Sequence, residues 1–378
     1  MTLFAELAFE LRDLIVVHFC PCCRPKSNLV DFSTLLALTS SSKAMNQVAT
    51  PHVYHRPHIR KWWLFARTLL VCPDLAGNVK QLYFLDKKAN GVLVEHSGHV
   101  PGASEVAPAE LVKYYPDGNY GQSVYKMHLA KFVPTELWEL EFDHYFRKMH
   151  RQNRNPHPKH HTGAFDDNIR LDILASLCPK VRAIKSSYAD PEEPLLRLNA
   201  PGSMDNLTKV VLIDNSDFTK MSPKHLFSIF QKAPNLEKCT VAGVRVTGFQ
   251  EISEYASLEG IKMEKLARLT FSKSNLSTSC LQLILKACPN LKHLKYDGLK
   301  NYLDSGMQFR PEEVMPILDK LAPNLESFDL SLDKEWKVAR FGTPWTEDTI
   351  LELKGAMDER GIDYNFTFNH EVFPHEWF

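Results

Sequence analysis

The stretch Ala233-Pro234-Asn235-Leu236-Glu237-Lys238-Cys239-Thr240-Val241 joins two patterns. Just before it, Leu226, Ile229, Phe230 and Ala233 stand at i, i+3, i+4 and i+7, which sets four apolar side chains on one helical stripe. Pro234 stops that helix, because proline has no N–H to give and pushes its predecessor out of the α region. Leu236, Cys239 and Val241 then follow the phrase Leu-x-x-apolar-x-apolar, whose end alternates with the period of a strand.

The phrase recurs as Leu207-Val210-Leu212, Leu266-Leu269-Phe271, Leu291-Leu294-Tyr296 and Leu325-Phe328-Leu330. The first leucines fall 29, 30, 25 and 34 residues apart. Helical stripes recur too, at Leu171/Leu174/Ala175/Cys178, Leu281/Ile284/Leu285/Cys288 and Val314/Ile317/Leu318/Leu321. Each runs into a proline, Pro179, Pro289 or Pro323, and Asn-Leu follows at Asn235, Asn290 and Asn324. Ser222-Pro223 reads as a helix start, an N-cap followed by proline at the first helical position. Val79-Leu82-Phe84 and Leu137-Leu140-Phe142 extend the phrase backwards, and Val181-Ile184 fits half of it. A helix from near Thr346 closes at Gly361, and Tyr364, Phe366 and Phe368 alternate as a last strand.

One such unit cannot bury its own apolar face, whereas a stack of them can. The expected fold class is therefore α/β, an irregular leucine-rich-repeat solenoid with its strands in a parallel sheet on one side. It occupies residues 59–378, most regularly after about residue 75, with an insertion at about 90–135 and a shorter one from Asn301 to Arg310. The competing architecture is a run of buried αβ units in a doubly wound sheet.

Lys and Arg number 45, as do Asp and Glu, so the formal charge is zero and gives no general attraction to nucleic acid or acidic membranes. No apolar run has the length of a membrane span. Glu6, Glu10, Arg12 and Asp13 interrupt the N-terminal apolar residues, which argues against a secretory leader. Eight cysteines in this length make no disulfide framework, and Cys178, Cys239, Cys280 and Cys288 sit on or beside the repeat pattern as small buried hydrophobes. A cytoplasmic or nuclear location is expected.

Residues 1–58 read as a small helical module. Leu11, Leu14, Ile15 and His18 lie at helical spacing, Cys20 to Asn28 break the helix, and Phe32, Leu35, Leu36 and Leu38 begin a second one. A third helix is expected from near Ala44 to just before Pro51. The module resembles the F-box family, specifically the fungal-type members with a degenerate leucine-rich-repeat tail. Leu7-Ala8-Phe9-Glu10-Leu11 is similar to the family's Leu-Pro-x-Glu-Leu opening. Leu35-Leu36-Ala37-Leu38 with Ser40-Ser41-Ser42-Lys43 matches its second helix, and Pro51-His52-Val53-Tyr54 its closing phrase. Ala8 departs from the family's proline, and the first interhelical loop is longer. The resemblance implies an adaptor that does no chemistry. Leu7, Phe9, Leu11, Leu14, Ile15, Leu35, Leu36, Leu38 and Lys43 would face a Skp-type adaptor on a cullin ligase core, and the repeats would hold a protein substrate. A ubiquitin-independent repeat scaffold is the alternative.

No nucleophile elbow, phosphate loop or His-Glu-x-x-His phrase occurs, so no catalytic residue, cofactor or metal is assigned and an enzyme is not expected. Cys20, Cys22 and Cys23, with His18 nearby, are the sharpest metal-like group. Structural zinc sites pair two knuckles, and none follows nearby, so the group reads as a loop with oxidisable thiols. His150 to His161 is broken by Pro156 and Pro158 and reads as a solvated loop. Trp62 and Trp63 read as buried aromatics on a linking helix rather than base-stacking residues.

Position 3 of the phrase should point out of the sheet, opposite to positions 4 and 6. It holds Lys209, Lys238, Arg268 and His293 in successive units, and position 5 adds Lys295. These five are the candidate partner-binding residues of the open face.

Overall fold

The structure is a computed structural model describing residues 7–24, 32–57, 62–84, 171–172, 174–188, 195–196, 199–214, 222–244, 260–298, 311–333 and 347–369. The expected insertion at 90–135, the phrase at Leu137, the histidines from His150 and the stretch from Asn301 to Arg310 lie outside the described residues. The chain forms two compact units, Met1–Lys180 with Leu196–Ala200, and Val181–Leu195 with Pro201–Phe378. The boundary expected at residues 58 and 59 falls within the first.

In the first unit, α1 (Phe9–Phe19), α2 (Phe32–Ser41) and α3 (Lys43–His55) pack on one another, followed by α4 (Trp62–Val71), α5 (Pro73–Ala76) and β1 (Gln81–Phe84). The three-helix core is small: Val16, Leu35, Met45, Val48 and Ala49 are buried, with Phe19, Leu38 and Val53 packed against them. Ser42 caps α3 by accepting from the Met45 N–H at 3.1 Å. The expected stop at Pro51 does not occur, and α3 continues through it to His55. An interior proline costs a helix about 3 kcal/mol when it stands alone. Here Val48 and Ala49 are buried in the core and Val53 packs against it, so tertiary contacts hold the turns on both sides of the proline. Lys80 N–H donates to the His55 carbonyl at 3.0 Å, tying the approach to β1 to the end of α3.

In the second unit the strands are β2 (Ala183–Tyr188), β3 (Lys209–Asp214), β4 (Lys238–Ala242), β5 (Arg268–Ser274), β6 (His293–Gly298), β7 (Ser327–Asp333) and β8 (Asp363–Asn369). Among the described residues, helix α6 (Pro223–Lys232) lies between β3 and β4, α7 (Thr278–Ala287) between β5 and β6, α8 (Pro311–Leu321) between β6 and β7, and α9 (Glu347–Glu359) between β7 and β8. All six neighbouring pairs from β2 to β8 are parallel, and the strands lie side by side in sequence order. A doubly wound sheet reverses its order at a switch point, and this one does not. The helices follow the same order, α7 packing on α8 and α8 on α9.

Every β3–β7 strand coincides with a copy of the phrase. Positions 1, 4 and 6 are buried in all five copies, from Leu207/Val210/Leu212 to Leu325/Phe328/Leu330. The turn before each strand is also repeated. The N–H of Leu207, Leu236, Leu266, Leu291 and Leu325 donates to the carbonyl three residues earlier. The next two N–H groups converge on one carbonyl of the preceding unit: Arg182, Thr208, Glu237, Ala267 and Lys292 accept in turn. Gly361 ends α9 with φ +64°, a left-handed value that glycine takes without penalty. Around it Ile362 N–H reaches Met357 O and Gly361 N–H reaches Asp358 O, so two terminal carbonyls are satisfied before β8 begins.

Candidate functional site

Three groups of residues stand out. The first is the surface of the three-helix module. A helix of α1's length cannot hide all its apolar residues behind a core this small. Val16 turns inward, and Phe9, Leu11 and Leu14 are left 54%, 49% and 56% exposed. Leu36 on α2 is 45% exposed. Leu7, Ile15 and Leu38 are half-buried and Lys43 is exposed, whereas Leu35 is wholly buried in the module's own core.

The second group is the row at position 3. Lys209 pairs in register with Lys238, Lys238 with Arg268, Arg268 with His293, and His293 with Ser327. Strand spacing in a sheet is about 4.8 Å, so the basic side chains stand in one line. Lys209, Lys238 and Arg268 are exposed, and none has an ion-pair partner among the described residues. His293 Nδ1 lies 2.8 Å from Ser327 Oγ. Lys295, also exposed, stands one pleat along, beside Asp329 in register.

The third group was not assembled from sequence. Cys20 ends α1, and the Arg24 N–H closes a turn on the Cys20 carbonyl at 3.1 Å, which brings Cys23 round beside it. His52 and His55 follow one another on the last turn of α3, i and i+3, with ring centroids 4.6 Å apart. One ligand atom from each of Cys20, Cys23, His52 and His55 lies within 4.8 Å of every other. Cys20 Sγ is 3.5 Å from His55 Nδ1, Cys23 Sγ is 3.4 Å from the same atom, and Cys23 Sγ is 3.8 Å from His52 Nδ1. The far nitrogen of His52, Nε2, is 2.9 Å from Asp13 Oδ1. Cys20, His52 and His55 are buried and Cys23 half-buried. His18, the nitrogen donor suggested by sequence, is exposed and outside the group.

The electrostatics of this group set its two cysteines apart. Burial raises the Cys20 thiol, but hydrogen bonds to His52 and His55 and to the backbone of Cys23 and Cys22 bring it down to about 5. Burial and the adjacent Cys20 charge push Cys23 up to about 12, against the pull of the Lys80 ammonium. Burial lowers His52, yet Cys20 and Asp13 together carry it above the usual imidazole range. Three other buried cysteines behave differently. Cys178, Cys239 and Cys288 are raised by burial, as thiols that only fill space.

The signal that joins the histidines to the cysteines was present as His52-x-x-His55, about thirty residues downstream. Reading Pro51 as a helix end hid it. Among the described residues no helix is long and apolar enough to cross a membrane. Neither a scan of the chain against protein-family models nor a search of curated proteins finds a match.

Proposed function

We propose that this chain is a substrate-recognition adaptor of a Skp–cullin–F-box type ubiquitin ligase. It docks through its three-helix module and holds a protein target on its sheet. The observation that carries this reading is the exposure of Phe9, Leu11, Leu14 and Leu36, large apolar side chains that the module's own core leaves uncovered. Large apolar side chains left in water on two packed helices suit a partner that covers them, and Leu11 and Leu14 share one side of α1. The resemblance of residues 7–11 and 35–43 to the F-box pattern says which partner. Leu7, Ile15, Leu38 and Lys43 flank the exposed four, and Leu35 supports them from the core.

The second unit is read as an irregular leucine-rich-repeat solenoid. Strands that each neighbour the next in sequence order, helices α7, α8 and α9 that pack in the same order, and a turn repeated with the same hydrogen bonds support this. The row Lys209, Lys238, Arg268 and His293, with Lys295, is the target-binding face of that reading. Its cytosolic or nuclear setting follows from the ligase.

The test is adaptor pull-down with the full chain. Hot-spot anchors contribute about 2 kcal/mol or more each. Leu11→Asp combined with Leu36→Asp is therefore expected to weaken binding by roughly a thousandfold, with the circular-dichroism spectrum unchanged. A folded double variant that still binds at wild-type strength removes this surface as the docking site. A wild-type chain that retains no Skp-type adaptor favours the ubiquitin-independent scaffold, which Ala8 in place of the family's proline also favours.

A further inference from the structure

We infer that Cys20, Cys23, His52 and His55 form a structural zinc site that fastens the end of α1 to the end of α3. The donor set is two thiols and two imidazoles, the combination that closed tetrahedral zinc sites use. The geometry agrees on three of the sulfur–nitrogen edges. Zinc bonds of about 2.3 Å to sulfur and about 2.0–2.1 Å to nitrogen set a tetrahedral S···N edge of about 3.6 Å. Three of the four S···N separations are 3.4, 3.5 and 3.8 Å, and the fourth, between Cys20 and His52, is within 4.8 Å. All four ligand positions come from protein, which leaves no open position for a substrate and makes the site structural rather than catalytic.

Local structure presents the ligands in two pairs. Cys20 and Cys23 lie in one tight turn, closed by the Arg24 N–H on the Cys20 carbonyl. His52 and His55 are one helical turn apart on α3. Asp13 completes the arrangement from α1. Its carboxylate 2.9 Å from His52 Nε2 holds the proton on that nitrogen and turns Nδ1, with its lone pair, toward the sulfurs. A carboxylate behind a ligating histidine is the usual outer-shell partner of such sites. Lys80 Nζ, 3.5 Å from His55 Nδ1, is the one cationic side chain beside the group among the described residues.

The site also answers two difficulties of the module. Two neighbouring sulfurs cannot both ionise without a cation between them. Zinc with two thiolates and two neutral imidazoles is uncharged as a whole, which suits the burial of Cys20, His52 and His55. Second, a core of five buried residues is little for three short helices, and small domains of this kind are commonly completed by a metal. A zinc link across the module also fixes the final turn of α3 beyond Pro51.

The inference is independent of the adaptor reading, because metal content is measured without any partner. The full chain, purified without chelator and desalted, is expected to carry about one zinc per molecule by inductively coupled plasma mass spectrometry. Cys22→Ser and Cys72→Ser are expected to keep it. Cys23→Ser and His55→Ala are expected to lose most of it, and His55→Cys, which restores a fourth ligand, to regain it. Because a ligand variant can also fail by misfolding, cobalt is used as a second readout on the wild-type chain. Its tetrahedral ligand-field bands and thiolate-to-metal charge transfer report the donor set directly. A wild-type chain that holds no zinc and takes up no cobalt overturns the inference. So does a Cys20–Cys23 disulfide found by thiol mapping, or zinc content indifferent to Cys23→Ser and His55→Ala.

Discussion

The Tyr296 hydroxyl is buried at the seam between two repeat units. It donates to the Ser274 carbonyl at 3.0 Å and accepts from the Leu276 N–H at 3.3 Å. Those two backbone groups flank the point where β5 ends and α7 is about to start, so their bonding is not supplied by either element. The ring meanwhile packs against Phe271 of the preceding strand, centroids 6.5 Å apart. Burial raises the phenol far above its usual range, so it remains a donor at any ordinary pH. Tyr296→Phe preserves the ring and strands both backbone partners. A buried group left without its partner costs about 1–3 kcal/mol. A chemical-denaturation midpoint lowered by that amount, with an unchanged slope, is the expected result. An unchanged midpoint would mean that the two backbone groups find other partners.

At the scale of elements, one residue type repeats for a reason the phrase itself does not show. Asn235 Nδ2 donates to Asp205 O, Asn290 Nδ2 to Glu264 O, and Asn324 Nδ2 to Pro289 O, at 2.9, 2.9 and 3.3 Å. Each asparagine therefore bonds the turn of the unit before its own. Asn324 also reaches Asn290 Oδ1 at 3.4 Å, so adjacent rungs touch. Asn290→Ala is expected to lower stability by about 0.5–1.5 kcal/mol. Combined with Asn324→Ala it should lose less than the sum, because the two share a contact. A double-mutant cycle by urea denaturation measures that coupling, and strict additivity would show that the rungs act separately.

The repeated strands and helical stripes were legible because burial imposes period 2 on Leu294/Tyr296 and period 3.6 on Leu281/Ile284/Leu285/Cys288. The Asn-Leu recurrence was visible, but its bonding partner lies a whole unit away in sequence. The β5 irregularity between Phe271 and Ser274, with Lys273 at φ +48°, has no local signature, since lysine is not a residue that announces a left-handed turn. The Cys–His group failed to be read for a related reason. A local rule, that proline ends helices, outranked tertiary packing that carries α3 through Pro51. The second pair stands about thirty residues on, and only the packing of α3 on α1, across the intervening α2, brings it to the first.

At the scale of the whole molecule, formal neutrality conceals a segregation of charge. With 45 basic and 45 acidic residues the chain has no net field to steer a partner. Yet Lys209, Lys238 and Arg268 occupy consecutive strands in register, exposed and without ion pairs among the described residues. Like charges on adjacent strands repel, so the row is a small standing cost to the sheet. A purely solvating role would be met as well by alternating signs, as Lys292 and Glu326 show by pairing at 2.7 Å on neighbouring units. An acidic or phosphorylated segment laid across the row would remove the repulsion and gain charge-assisted hydrogen bonds from the guanidinium and ammonium groups. Lys238→Glu together with Arg268→Glu is expected to weaken binding of such a target by at least about tenfold, near 1.4 kcal/mol. Because these side chains are exposed, wild-type binding should also fall as salt shortens the screening length. Stability should change little, since relieving like-charge contacts offsets the substitutions. Equal binding by the wild type and the charge-reversed chain at low salt, measured by calorimetry, would leave the row as surface alone.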